Sequence, residues 1–370
     1  MRPVPAIPTL EWLKALHEPA MTLGWTLQQW SDIVRLARRL RLLGRLAYSI
    51  DAAGLTTRMP EQVQRQLLGE SRLSGWRTRA LTWTMGQISQ QFDGANYPRV
   101  LLKGGAYVAQ DLSIARGRLP SDLDILVPRQ AIPDAQRRLR NQGWQEIELD
   151  AHDRRYYHEW SHETPPMRNA LFGMELDLHH NILPPVARMT VDAQRLLDDL
   201  VRAGVDGWQI LNPVDQVLHC AAHLFLDSEL RDRARDIVDF DGLLRHHESD
   251  RNFWPRLIER AIKLSLVEPL QLALRFSCGW MQTPLPETAR EELSRNVPSR
   301  QRQFWLLPLL DAALTPTPPD RSPGHRQRFA AIALMVRYHR QRMPARLLLP
   351  HLWHKIRSGQ PSERKVDDGA

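Results

Sequence analysis

The sequence predicts an α+β fold, in which a small mixed β-sheet core with helices is flanked by N-terminal and C-terminal helical regions. Between about residues 98 and 184, short apolar runs alternate with prolines and glycines, a pattern typical of strands mixed with helices. On either side of this segment, apolar residues recur every three or four positions, which predicts helices. The 370 residues, 42% of them hydrophobic and 25% charged, suffice for a sizeable buried core.

Composition excludes several classes of protein. Only Cys220 and Cys278 are present, which argues against a disulfide framework or a cysteine-based zinc site and favours a reducing compartment. The N-terminus has no continuous apolar segment of the secretory type, and the most apolar stretches are shorter than the ~20 residues that span a bilayer. We therefore expect a soluble, cytoplasmic protein.

The chain is basic, with a net charge of +8 from 50 basic and 42 acidic residues, and only five of the basic residues are lysines. Arginine suits phosphates and carboxylates because its planar guanidinium can bind them with two parallel hydrogen bonds. Dispersed basic residues are more often solvated helix faces than a binding surface. The charge is compatible with nucleotide or nucleic-acid partners without indicating either.

Four regions are expected along the chain: an N-terminal helical region (1–98), an α/β core (99–184), a helical domain (185–315), and a basic helical region with a disordered polar tail from Ser358 (316–370). The first region has helical spacing at Ile33, Leu36 and Leu40, and a second helical stretch follows Pro60. A proline-rich loop at 315–325 separates the last two regions, and a basic amphipathic stretch covers 326–342.

Within the core, an apolar run at 100–102 ends at Gly104-Gly105, and a short helix is expected at 106–112. A strand at 123–127 lies between Pro120 and Pro128, and a helix runs from Pro133 to Gly143. Further strands are predicted at 144–149, 155–160 and 172–179.

Acidic residues in two of these strands suggest metal chemistry. Asp122 and Asp124 are two positions apart on a strand, so both side chains point to the same face. Carboxylates in this arrangement can hold a pair of hard cations ~3.5–4 Å apart, as in two-metal phosphoryl transfer. In the strand at 172–179, Asp177 shares a face with Glu175 and His179. If the two strands are neighbours, Asp177 completes the metal site or accepts a proton from an attacking hydroxyl.

A second feature is Lys103-Gly104-Gly105, between a strand and a helix. Glycines allow the backbone to approach a phosphate closely, and a helix N-terminus offers unpaired N–H groups. The segment is not a Walker loop, because the G-x-x-x-x-G-K-[ST] pattern is absent. A Gly-Gly turn is weak evidence alone, but the two acidic strands that follow strengthen it.

The order of these motifs resembles the nucleotidyltransferase superfamily related to DNA polymerase β, and more narrowly a bacterial family of uncharacterised nucleotidyltransferases. The matching segments are Leu102-Lys103-Gly104, Arg118 followed by the strand from Asp122 to Val127, and Leu176-Asp177-Leu178-His179. The downstream helical region resembles that family through four polar positions: His219, His223, Arg235 and Asp236. The superfamily commonly has Gly-Ser where this chain has Gly104-Gly105.

The resemblance implies Mg²⁺-dependent transfer of a nucleoside monophosphate from an NTP to an acceptor hydroxyl, with release of pyrophosphate. Asp122, Asp124 and Asp177 would hold two Mg²⁺ ions, with Mn²⁺ as the other candidate. Gly104 and Gly105 would contact the β- and γ-phosphates, assisted by Lys103 and Arg118. The acceptor could be a small molecule, a sugar, RNA or a protein.

Other residues of the motif have a more open interpretation. His179 is predicted to support the acids rather than to bind an ion. His223, Arg235 and Asp236 lie on predicted helices, where buried ion pairing is as plausible as contact with a nucleotide.

Two alternative functions remain. His158-Glu159-x-x-His162 fits the H-E-x-x-H pattern of zinc peptidases, which requires both histidines on one helix. Its tyrosine- and proline-rich flanks favour a strand or loop instead. The basic stretch at 326–342 could bind nucleic acid or an anionic lipid surface around a non-catalytic core.

Overall fold

The computed structural model describes residues 10–226, 230–296, 300–318 and 320–342. Within these ranges the chain forms one mixed sheet of seven strands together with fourteen α-helices, which confirms the predicted α+β class. The strands are β1 (Val100–Leu101), β2 (Asp122–Leu126), β3 (Gln145–Glu146), β4 (Met167–Arg168), β5 (Glu175–His179), β6 (Leu200–Arg202) and β7 (Gln209–Leu211).

The α-helices occur on both sides of the core segment in sequence as well as within it. They are α1 (Leu27–Arg39), α2 (Leu43–Ala52), α3 (Glu61–Gln91), α4 (Lys103–Ala109), α5 (Ile132–Asn141), α6 (Ala151–Glu159), α7 (Ala193–Leu197), α8 (Pro213–Leu226), α9 (Ala234–His247), α10 (Phe253–Lys263), α11 (Val267–Met281), α12 (Glu287–Arg295), α13 (Arg300–Leu314) and α14 (His325–Arg342).

The strand order in the sheet is β3-β4-β5-β2-β1-β7-β6. The two longest strands, β2 and β5, are parallel neighbours in the middle, and Asp124 is opposite Asp177 in their register. Leu123 and Leu176, which point to the other face, are fully buried. Alternation along each strand therefore places the apolar residues in the core and the acids together on the opposite face.

The N-terminal helices form a second hydrophobic core. A capping box at Thr26 begins α1, and Arg41, with a φ of 57°, separates α1 from α2. Trp12 and Trp30 are buried in this core, which also includes side chains from α9 and α11. The N-terminal region thus packs on the helices that follow the sheet rather than standing apart.

At the C-terminal end of the described chain, α14 packs against α13. Ala330 and Leu334 of α14 are buried, whereas Phe329 and Ile332 are exposed, so only part of the predicted apolar face is covered. Among the described residues, no helix combines the length and the apolar character needed to cross a membrane.

Several predicted elements are wrong. Residues 155–159 of the strand predicted at 155–160 belong to α6, and the strand predicted at 144–149 is limited to β3. Helix α4 begins at Lys103, so the glycine pair lies in its first turn instead of ending the strand before it. Strands β6 and β7 interrupt a region that was expected to be entirely helical. The predicted tail from Ser358 lies outside the described residues.

Candidate active site

Three carboxylates converge on one face of the sheet centre. Asp122, Asp124 and Asp177 each contribute an oxygen, and these three atoms lie within 4.8 Å of one another. Asp124 and Asp177 are 3% exposed, whereas Asp122 is partly exposed at the edge of the group. The sequence predicted that these acids would meet if the two strands were neighbours, and the parallel pairing of β2 with β5 brings them together. This set of three is called the carboxylate cluster below.

Lys103 supplies a positive charge to the cluster. Its Nζ lies 3.0 Å from Oδ1 of Asp124. The residue is the first of α4, two positions after the end of β1, and has a φ of 43°, a left-handed conformation that is uncommon for a residue with a side chain. Such backbone strain persists only where the surrounding structure enforces it. The strand–helix junction therefore holds the ammonium group at the buried carboxylate.

His179 contacts the same carboxylate from the end of β5. Its Nε2 lies 3.0 Å from Oδ1 of Asp124 and 3.6 Å from Oε2 of Glu163. Burial opposes protonation of the imidazole, but the hydrogen bond to Asp124 and the charge of Glu163 outweigh it, so the pKa of His179 is raised above its ordinary value. The predicted contact between His179 and the acids is present.

The glycines at the start of α4 have a packing role. A Cβ on Gly105 would lie 3.0 Å from Cδ1 of Leu123, and one on Gly104 would lie 3.3 Å from Nε of Arg118. The absence of both side chains lets α4 approach β2 and admits the arginine beside it. Contact of these glycines with phosphates stays a prediction.

Arg118 is committed to another partner. Its guanidinium is buried, forms an ion pair with Asp239 of α9, and lies over the ring of Tyr107 with 5.4 Å to the ring centroid. Burial alone would lower the pKa of Arg118, but the adjacent Asp239 raises it above the ordinary value. Arg118 therefore connects the segment between Gly105 and Asp122 to two helices, to α4 through Tyr107 and to α9 through Asp239.

The polar residues predicted downstream fall into two groups. His219 and His223 of α8 have rings 6.4 Å apart, and the pKa values of both are well below the ordinary value because of burial and the positive charge of Lys103. Arg235 and Asp236 lie in the first turn of α9, where Arg233 contacts Asp236 at 3.5 Å. The charge of Asp236 acts on Arg118 together with that of Asp239, and Asp236 is not one of the three acids of the carboxylate cluster.

The H-E-x-x-H pattern does not form a zinc-binding helix. Helix α6 ends at Glu159, so His158 and His162 do not share a helical face. His158 is exposed, and Glu159 pairs with Arg155. His162 is buried, with its ring 5.4 Å from that of His179.

Residues 26–282 match the model of a family described as uncharacterised nucleotidyltransferases. The match extends from the N-cap of α1 to the end of α11 and includes the whole carboxylate cluster. The chain belongs to this family. It is therefore a nucleotidyltransferase. The matched region includes the N-terminal helices α1 to α3, so these helices are a feature of the family. No curated protein and no solved structure gave a significant match to the chain.

Sequence reasoning missed Glu163 and Asp239 as partners of the site. Glu163 reaches His179 through an isolated antiparallel bridge, and Asp239 reaches Arg118 from a helix 121 positions later in the chain. The only sequence signal for Glu163 was the neighbouring His162, which was assigned to the H-E-x-x-H pattern instead.

Proposed function

We propose that this nucleotidyltransferase moves a nucleoside monophosphate from an NTP to an acceptor hydroxyl, using Mg²⁺ held by Asp122, Asp124 and Asp177. The observation that carries the proposal is the convergence of three carboxylate oxygens within 4.8 Å on adjacent parallel strands. An octahedral Mg²⁺ with bonds of ~2.0–2.1 Å separates its ligands by roughly 3–4 Å, so small side-chain rotations suffice to close the cluster on an ion. Oxygen donors also match the preference of Mg²⁺ over softer metals.

Each acid has a proposed role. Asp122 and Asp124 would hold both ions, and Asp177 would hold one of them. When bound, the ions would polarise the α-phosphate and neutralise charge on the leaving pyrophosphate. Asp177 accepts the proton of the acceptor hydroxyl as its oxygen bonds to the α-phosphorus and the bond from that phosphorus to the bridging oxygen breaks.

Lys103 and Arg118 have separate proposed roles. Lys103 is partly exposed and lies beside Asp124, so its ammonium is placed to contact a triphosphate oxygen at the carboxylate cluster. Arg118 is buried against Asp239, which supports a positioning role between α4 and α9 in place of direct contact with the nucleotide.

The test compares two positions of label. Purified protein is incubated with Mg²⁺ and the four NTPs, labelled at either the α- or the γ-phosphate, together with a deproteinised cell extract and total RNA as acceptors. Nucleotidyl transfer places the α-label on the acceptor and leaves the γ-label in pyrophosphate. Transfer of the γ-label instead would indicate a kinase and contradict the proposal.

The residue assignment is tested with Asp122→Asn and Asp177→Asn. Since charge stabilisation by a catalytic metal is worth several kcal/mol, each variant should lose at least ~10²-fold in transfer rate. The control is Asp51→Asn, which changes an exposed acid at the end of α2 and should retain the full rate. Undiminished transfer in the double variant Asp122→Asn/Asp177→Asn would refute the assignment.

A further inference from the structure

His162, Glu163 and His179 form a second cluster beside the carboxylate cluster, and the proposed transfer reaction does not use it as a metal site. One nitrogen or oxygen from each of these side chains lies within 4.8 Å of the other two. His162 and His179 are 3% and 1% exposed, whereas Glu163 is partly exposed. The group therefore combines two buried imidazoles with a carboxylate that solvent can reach. It is called the histidine cluster below.

The backbone holds this cluster in place. Glu163 and His179 are partners in an isolated antiparallel bridge. The N–H of Thr164 donates to the carbonyl of Leu178 at 2.9 Å, and the N–H of His180 donates to the carbonyl of His162 at 2.8 Å. The segment that carries His162 and Glu163 is thus fastened along the end of β5. Ligands on such a hydrogen-bonded frame are better positioned than ligands on an unattached loop.

The distances fit a small transition-metal ion. A tetrahedral ion with ligand bonds of ~2.0–2.2 Å separates its donor atoms by roughly 3.3–3.6 Å. Nε2 of His179 and Oε2 of Glu163 are 3.6 Å apart, and the ring centroids of His162 and His179 are 5.4 Å apart. Because the three donor atoms lie within 4.8 Å of one another, movement of one imidazole by about 1 Å would bring all three into such a shell.

We infer that the histidine cluster binds a divalent transition metal of the zinc class. Imidazole nitrogens favour zinc and its neighbours, whereas the all-oxygen carboxylate cluster favours Mg²⁺ or Mn²⁺. Two histidines and one glutamate leave a coordination position open, which is the pattern of reactive rather than purely structural zinc sites. Nε2 of His179 lies 3.0 Å from Oδ1 of Asp124, so an ion bound at this nitrogen would replace that hydrogen bond and would lie next to the carboxylate cluster.

Metal content tests this inference without any transfer assay, so its failure is separate from that of the proposed function. The full-length protein is stripped with a chelator, equilibrated with Zn²⁺ in excess Mg²⁺, freed of unbound metal and analysed for zinc. We expect one zinc per chain and, with Co²⁺ as the probe, the visible absorption of a nitrogen- and oxygen-ligated ion. Protein that retains no zinc would overturn the inference.

Four variants locate the ion. Glu163→Gln and His162→Ala should each weaken Zn²⁺ binding by at least ~10-fold, since even outer residues of metal sites have effects of 10–100-fold. Circular dichroism shows whether each variant is folded. If loss of the buried His162 impairs folding, Glu163→Gln still tests the site, because Glu163 is partly exposed and its replacement should not disturb the core. His158→Ala, on the exposed part of the H-E-x-x-H pattern, and Asp122→Asn should both retain zinc. Retention in Glu163→Gln and His162→Ala, or loss in Asp122→Asn, would place the ion elsewhere.

Discussion

Lys103 and Arg118 were predicted as two similar cations near the phosphates, and the structure gives them different partners. Lys103 reaches Asp124 from the end of the neighbouring strand and remains partly exposed. Arg118 is buried with Asp239, whose charge stabilises the guanidinium away from water. A buried ion pair of this kind is costly to break because the remaining charge has no compensation.

Substitutions at the Arg118–Asp239 pair test whether Arg118 positions α4 against α9 or contacts the nucleotide directly. Asp239→Asn should lower the free energy of unfolding by about 3–5 kcal/mol, because it removes the carboxylate that pairs directly with the buried guanidinium. The double variant Arg118→Met/Asp239→Leu should recover most of that loss. Chemical denaturation gives the stabilities, and calorimetry gives the affinity for an NTP. A double variant that is stable but binds the NTP much more weakly would show that Arg118 contacts the nucleotide directly.

At the scale of secondary-structure elements, the site depends on how α2 meets the loop that leads to β2. A Cβ on Gly44 would overlap the carbonyl oxygen of Gly117, and a Cβ on Gly117, which has a φ of 72°, would overlap the backbone of Gly44. Arg45 donates to the carbonyl of Ser113 in the same loop. The N-terminal helices thus hold the segment that carries Arg118 by direct backbone contact.

Replacement of Gly44 by alanine should therefore separate α2 from this loop. We expect Gly44→Ala to lower the free energy of unfolding by about 1–3 kcal/mol, the usual effect of an added group in a packed interior. The matched control is Gly69→Ala, in the exposed middle of α3 with open space around it, which should raise stability by about 0.5–1 kcal/mol. Equal stabilities of the two variants in urea would contradict this role for Gly44.

The junction between α9 and α10 makes stability depend on pH. His247 stacks on Phe253 with ring centroids 5.3 Å apart, and burial, together with the neighbouring His246, lowers its pKa to about 4. Asp250 acts in the opposite direction, and Arg256 in the same direction as burial. Because the ordinary histidine pKa is about 6.5, the unfolded chain binds a proton between pH 6.5 and 4 that the folded chain does not. The contribution of His247 to stability is therefore complete above pH 6.5 and decreases as the pH falls toward 4.

His247→Gln should flatten this pH dependence. The lowered pKa of His247 corresponds to at most about 3.4 kcal/mol of folding stability lost at low pH. Because the side chain is partly exposed, we expect a loss of about 1–2 kcal/mol. Urea denaturation gives the free energy of unfolding at pH 7 and at pH 4.5, and the difference between these two values measures the effect. The control is His158→Gln, which replaces an exposed histidine on α6. A wild-type protein and a His247→Gln variant with the same pH dependence would refute the assignment.

At the scale of the whole molecule, two hydrophobic cores meet at α9 and α11, and the family match covers most of each core. The carboxylate cluster lies at the centre of the sheet, and its acids come from β2 and β5, which are far apart in the sequence. An ion bound there would connect β2 to β5 in the folded state only. Metal binding should consequently stabilise the whole fold.

Mg²⁺ should raise the thermal unfolding midpoint, and chelation should reverse the increase. At a concentration near 100 times its dissociation constant, an ion that binds only the folded state adds about 2.7 kcal/mol. In Lys103→Met the metal-free protein should be less stable and the increase with Mg²⁺ larger, because the ion no longer displaces an ammonium group from Asp124. Asp122→Asn/Asp177→Asn should show little increase. Scanning calorimetry with and without Mg²⁺ measures all three, and an equal increase in every protein would indicate binding elsewhere.

Local patterns in the amino-acid sequence were enough to predict the class of fold and the acids of the candidate site. Alternation along a strand is a local property, so the shared face of Asp122 and Asp124, and the position of Asp177 on a second strand, could be predicted from spacing and flanking prolines. That these strands are parallel neighbours, with Asp124 opposite Asp177, could be seen only in the complete fold. The same holds for the pairing of Asp239 with Arg118 and for the position of Glu163 beside His179. These contacts join residues distant in the chain, and their partners are selected by packing of the complete core, which no local pattern encodes.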